Sequence, residues 1–193
     1  MVVVPGISNK EAGGILSKQK FFFPLRLRKK AISPGRIELI YLPFYLFRVV
    51  HPHRGQGPDT AGKGDKGLFI VLDGLLGENL FFVGDNLKYT DREDGVENPV
   101  CPFIISRAQA ERTVVDKYKW LQVEHGLRMK QKPAPGKIDE VKTIFYPFWV
   151  GYYRRGGAYD FRVVDGVSGE VQGVRMRKVF LKALRHLGEG TRK

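Results

Sequence analysis

The apolar positions of this chain change period several times, and each change marks an element. Ser8-Asn9-Lys10-Glu11 opens the first element as a capping box, with serine as N-cap and glutamate at N3. Ile15, Leu16, Phe22 and Phe23 follow at spacings that suit one helical face, and Pro24 closes the predicted helix. Gly13 and Gly14 work against it, each costing roughly 1 kcal/mol relative to alanine in a helix interior. Leu25-Arg26-Leu27-Arg28 alternates as a short strand, which Lys29-Lys30 and Ser33-Pro34-Gly35 break off. Ile37 to Val50 is rich in β-branched and aromatic residues and predicts a long strand. Pro43 within it has no N–H for a ladder, which places it at an edge or a bulge. Residues 51–67 are polar and rich in glycine and proline, the composition of a mobile loop. Leu68 to Val83 then reads as a hairpin turning at Asp73-Gly74, and residues 85–98 as an acidic connector.

The second half opens in the same way. Ser106-Arg107-Ala108-Gln109 is again a capping box, and Val114, Val115, Tyr118 and Leu121 form a helical stripe. Pro135-Gly136 precedes a long strand from Val141 to Arg154, Arg154 to Gly157 makes a short turn, and Tyr159 to Val174 is a second hairpin turning at Asp165-Gly166. A basic segment from Arg177 to Leu187 closes the chain, its apolar face formed by Val179, Phe180, Ala183, Leu184 and Leu187.

Four landmarks thus recur in one order: a capping box, a Pro-Gly turn, a Pro-Phe-aromatic strand and an Asp-Gly-x-x-Gly-Glu hairpin. The third is Tyr41-Leu42-Pro43-Phe44-Tyr45 in one half and Phe145-Tyr146-Pro147-Phe148-Trp149 in the other. The fourth is Asp73-Gly74-Leu75-Leu76-Gly77-Glu78 and Asp165-Gly166-Val167-Ser168-Gly169-Glu170. The expected fold is α+β, a tandem duplication of helix–strand–strand–strand units with antiparallel sheets, packed with pseudo-two-fold symmetry as one globular body. Residues 1–98 form the first repeat, 99–174 the second, and 175–193 a basic C-terminal helix and tail.

The two Asp-Gly-x-x-Gly-Glu hairpins, each following a helix and a strand, resemble PepSY and cystatin-like α+β units. The resemblance covers about 15 residues per copy and implies the fold alone; no functional residue is carried over with it.

Charge adds a direction. The net charge of +13 is unevenly placed: residues 1–50 hold nine Lys/Arg against Glu11 and Glu38, a net +7, and residues 175–193 hold seven against Glu189, a net +6. The centre sums to zero. A basic surface for an acidic partner is the natural reading, whether that partner is a protein, a nucleic acid or an anionic membrane surface. The expected basic face comprises Arg26, Arg28, Lys29, Lys30, Arg175, Arg177, Lys178, Lys182 and Arg185. No apolar run approaches the ~20 residues that cross a bilayer. The first residues lack the pattern of a signal peptide, so a cytoplasmic location is the default expectation.

Candidate chemistry is sparse. Asp73, Glu78, Asp165 and Glu170 could serve acid–base work, but aspartate at a turn start caps local backbone, and the structural role is the expected one for Asp73, Gly74, Gly77, Asp165, Gly166 and Gly169. His51 and His53, with Asp59 nearby, lack further ligands at metal spacing. Cys101 has no neighbouring base and reads as a small buried residue. No cofactor, metal or catalytic residue is expected. The aromatic strands exceed what one strand face buries. Either they are sandwiched between layers, with burial between the two repeats the expected outcome, or one face meets a partner. In the second case Tyr45, Trp149, Tyr152 and Tyr153 form a possible aromatic surface, suited to stacking on single-stranded nucleic acid. The leading function is a non-enzymatic binding or scaffold module, with homo-oligomerisation possible. Nucleic-acid binding is the first alternative, and a ligand pocket or enzymatic site between the repeats the second.

Overall fold

The computed structural model describes residues 1–18, 20–23, 26–50, 68–80, 87–90, 98–129, 137–155 and 157–190. Their elements are β1 (Val2–Val3), α1 (Asn9–Ser17), β2 (Lys20–Phe23), β3 (Arg26–Ala31), β4 (Arg36–Val50), β5 (Leu68–Asp73), β6 (Asn79–Leu80), β7 (Tyr89–Thr90), α2 (Arg107–Met129), β8 (Lys137–Arg155), β9 (Ala158–Asp165) and α3 (Val174–Gly190). The fold is α+β. One seven-stranded sheet runs β6-β5-β4-β8-β1-β7, with β9 also on β8, and β2 pairs with β3 separately.

This sheet is mixed, not antiparallel as the hairpin pattern implies. Val2 of β1 lies opposite Phe145 of β8 in parallel, and Val100 bridges Tyr41 in parallel. Both segments lead into a helix instead of forming one arm of a tight hairpin, so nothing forces them to run antiparallel.

Several local expectations need correcting. Helix α1 stops at Ser17, and Lys20–Phe23 is a strand paired with β3, which continues through Lys29 and Lys30 to Ala31. A run of three phenylalanines satisfies either period, and its antiparallel partner decides. On α2, Val114 and Tyr118 are buried with Ala110, but Val115 points to solvent. The return arm of the second hairpin is reduced to one bridge, Val164–Val171, because α3 begins at Val174. Pro43 is not on an edge strand: on one side of β4, Tyr41 upstream of it meets Val100, and downstream the β5 ladder begins at Phe44–Asp73. Its missing N–H falls where one neighbour gives way to the next. The loop expected over 51–67 lies outside the described residues.

The chain forms two compact units, Met1–Pro43, Gly84–Pro102 and Phe145–Lys193 in one, and Phe44–Val83 and Phe103–Ile144 in the other. In the first, α1 covers the β8–β9 hairpin, burying Val2, Ala12, Leu16, Leu39, Tyr41, Trp149 and Val164. The Trp149 indole N–H donates to the Ile7 carbonyl (3.2 Å), and the Gly6 and Ile7 N–H groups donate to the Gly166 carbonyl (2.9 and 3.1 Å). In the second unit, α2 covers the β4–β5 hairpin, burying Tyr45, Phe47, Val49, Ile70, Leu72, Ala110, Val114 and Tyr118. The Tyr45 hydroxyl donates to the Ile105 carbonyl (2.8 Å), and Ile104 and Ile105 donate to the Gly74 carbonyl (2.8 and 2.9 Å). Each helix therefore docks on a hairpin supplied by the other half of the chain.

Both helix starts are the predicted capping boxes. The Ser8 N–H donates to Glu11 (2.7 Å) and Glu11 N–H to Ser8 Oγ (3.3 Å); Ser106 and Gln109 repeat this at 2.9 and 3.3 Å. The accepted bonds hold the Glu11 carboxyl below its ordinary value.

The Asp-Gly turns match as well. Asp73 accepts from the N–H groups of Leu75, Leu76 and Glu78 at 2.6 to 3.0 Å, and Asp165 from those of Val167 and Ser168 at 2.8 and 2.9 Å. Both carboxylates are buried, at 0% and 6% exposure, and both satisfy turn N–H groups that no strand partner reaches. Gly77 and Gly169 then take φ of +71° and +77°, a left-handed conformation that costs glycine nothing. Glu78 and Glu170 face solvent, as expected.

Candidate functional site

Helix α3 is built from two opposed stripes. Met176, Val179, Phe180 and Ala183 are buried, with the Phe180 ring edge-on to Phe148 at 5.3 Å between centroids. Arg175, Lys178, Lys182 and Arg185 recur at spacings of three, four and three, which places them on the opposite face along roughly 15 Å of helix. Arg175, Lys178 and Arg185 are exposed and Lys182 is half-buried. Among the described residues none of the four makes an ion pair.

Arg177 does something else. Its guanidinium pairs with Asp160 (2.8 Å), donates to the Phe161 carbonyl (2.8 Å) and lies 4.5 Å from the centre of the Phe161 ring. It rivets the helix to β9 and is spent on that contact, so it leaves the predicted basic face. Arg26, Arg28, Lys29 and Lys30 fall on β3, and their side chains lie outside the described residues.

Of the aromatic strand residues that are candidates for a surface, most are interior, as the burial reading expects. Tyr45, Trp149 and Tyr153 are buried, and each spends its polar atom on a helix end. Tyr45 and Trp149 bond the residues preceding the two N-caps, while the Tyr153 hydroxyl donates to the Leu16 carbonyl (2.9 Å) near the last turn of α1. Burial pushes the Tyr153 hydroxyl up to about 12. A strand with two apolar faces is covered on both here, α1 on the Trp149 side and α3 on the Phe148 side.

Tyr152 is half-buried and lines an open cleft of about 580 Å³ with Gly35, Arg36, Glu38, Tyr153, Arg154 and Tyr159. Arg36 pairs with Glu38, and the Tyr152 hydroxyl donates to the Glu38 carboxylate. Burial, and then that carboxylate, raise the Tyr152 pKa above its ordinary value. Tyr159, at 80% exposure, is the most open aromatic among the described residues, ahead of Trp120 on α2 at 65%. Sequence reasoning passed over both. The available signal for Tyr159 was an aromatic bracketed by Ala158 and Asp160 just past Gly156-Gly157; Trp120 had only its polar neighbours.

The remaining groups offer little chemistry. Cys101 is fully buried, and burial raises its thiol to about 11, which keeps it from acting as a thiolate nucleophile. Tyr146 donates to both Asp165 oxygens (2.9 and 3.1 Å), an interior pair in which burial and then the carboxylate charge raise the phenol. Among the described residues no group of three or more His, Cys, Asp or Glu gathers where it could hold a metal ion, and His51, His53 and Asp59 lie outside them. No helix among the described residues is long and apolar enough to cross a membrane. No protein-family profile matches the chain, nor does any curated protein or solved structure.

Proposed function

We propose that this protein is a non-catalytic binding module whose helix α3 presents a fixed cationic face to an acidic partner. The observation that carries the reading is the stripe of Arg175, Lys178, Lys182 and Arg185, unpaired among the described residues on a helix whose other face is pinned by Phe180 and Arg177. Pinning matters because cations held in one geometry need no ordering when a partner arrives. The body that carries α3 is, in this reading, a tandem duplication of PepSY- or cystatin-like units with their helices exchanged. The paired bonds at Ile7 and Ile105, at Gly74 and Gly166, and at Asp73 and Asp165 support it.

The test is a variant carrying Lys178→Gln, Lys182→Gln and Arg185→Gln, compared with the parent on an immobilised polyanion. The variant should elute at clearly lower salt, with the salt dependence flattened by roughly one unit of slope for each lost anion contact. Its unfolding free energy should change by less than about 0.5 kcal/mol per site. Unchanged elution would show that α3 is only a solvated face.

A further inference from the structure

We propose that the acidic partner is single-stranded nucleic acid, and that a base stacks on Tyr159 in the cleft beside Arg154. This rests on the reading of α3 as a cationic binding face. The argument starts from strand alternation. Phe148 and Phe161 pack toward Phe180 of α3, so the side chains of β8 and β9 that share their parity lie on the α3 face of the hairpin. Tyr152 stands opposite Phe161 in the ladder, and Arg154 stands opposite Tyr159, which puts all four on that one face.

The face then shows the same ring environment twice, with different outcomes. Phe161 has the Arg177 guanidinium 4.5 Å from its ring centre. Two residues away, roughly 7 Å along the strand, Tyr159 is 80% exposed, with no ring or cation–π contact among the described residues. Tyr159 is held by its pairing with Arg154 in the β8–β9 ladder, and its ring faces outward from that hairpin. Arg154 supplies a cation, unpaired among the described residues, one rung across.

Chemistry selects among the acidic partners. An acidic protein or an anionic bilayer uses the α3 cations and can take a tyrosine at its interface without stacking flat on its face. A duplex keeps its base faces stacked on one another. A single strand brings both what α3 binds, a row of phosphates, and what Tyr159 lacks, a planar π-face. The cleft volume of about 580 Å³ accommodates one unstacked base.

The experiment titrates the full chain with fluorescein-labelled oligothymidine of 15 nucleotides, a duplex of equal length, and heparin, a polyanion without bases. Tyr159→Ala should weaken oligothymidine binding about tenfold, within the range of one base–aromatic stack. It should leave heparin affinity and the salt slope unchanged, since no phosphate contact is lost, and Tyr159→Trp should restore binding. Arg154→Gln should lower the oligothymidine salt slope by about one. If heparin binds but Tyr159→Ala leaves oligothymidine affinity unaltered, or if duplex binds as well as single strand, the stacking inference is overturned while the cationic face stands. If none of the three polyanions binds the unmodified protein, both readings fall.

Discussion

Helix α1 on the β8–β9 hairpin and helix α2 on the β4–β5 hairpin meet their strands through the same bonds but not the same side chains. Both pairs keep the capping box, the two N–H groups onto a turn glycine carbonyl, and an aromatic donor onto the carbonyl before the N-cap. Helix length and bulk differ. Helix α1 has nine residues and α2 has 23. Counting from the matched prolines and serines, Gly151 stands where the other hairpin has Phe47, and Leu16 where the other helix has Val114. A side chain at Gly151 would sit 2.9 Å from Leu16 Cδ1, so bulk placed on the helix in one pair is placed on the strand in the other. Tyr153 caps the end of the short helix, while Val49, its counterpart, has no hydroxyl and faces a helix that continues. Polar docking at the helix start is kept, and packing is free to trade.

The harshest test of that comparison removes the turn carboxylates. Asp73→Ala strands three turn N–H groups, and Asp165→Ala strands two together with the buried Tyr146 hydroxyl; each should cost about 4 kcal/mol in urea unfolding. A cost below 1 kcal/mol at either site would mean that its turn stands without the cap. Next comes the traded bulk. Leu16→Ala should cost about 3 kcal/mol, and Gly151→Ala should be unfavourable alone yet nearly neutral on the Leu16→Ala background. Additive costs in that cycle would deny that the two positions share one space. The smallest effect isolates single bonds: Tyr45→Phe and Tyr153→Phe should each lose about 1 kcal/mol and add when combined. A neutral Tyr45→Phe would make the shared helix-start bond incidental.

Much of this was legible because it is local. Four residues suffice for each capping box, and six for each Asp-Gly turn, since every donor and acceptor lies within the motif. The cationic stripe of α3 could be read from its spacing. What needed the structure is non-local. Phe21 to Phe23 fit a helix until β3 supplies their partner. Arg177 looks like any other surface cation until Asp160 meets it 17 residues upstream. For Tyr45, Trp149 and Tyr153 two apolar strand faces imply either a second layer, the expected outcome, or a partner, and only topology shows that the layers are α1, α2 and α3. A unit's own helix is the expected cover for its sheet, yet each helix covers the hairpin of the other half. No local pattern shows that pairing, since Ile7 and Trp149 are 142 residues apart.

That separation sets a schedule during synthesis. Helix α1 is made before its partner strands, and the indole it docks on appears 142 residues after Ile7. At roughly 5–20 residues per second the interval is on the order of 10 s, whereas a helix of this size forms and melts within about a microsecond. A nine-residue helix carrying Gly13 and Gly14 is too short to persist alone. The β4–β5 hairpin likewise waits for α2 with Tyr45, Phe47 and Ile70 uncovered. During this interval the nascent chain is most exposed to aggregation and to chaperones, and neither helix–hairpin pair can close before the second half emerges.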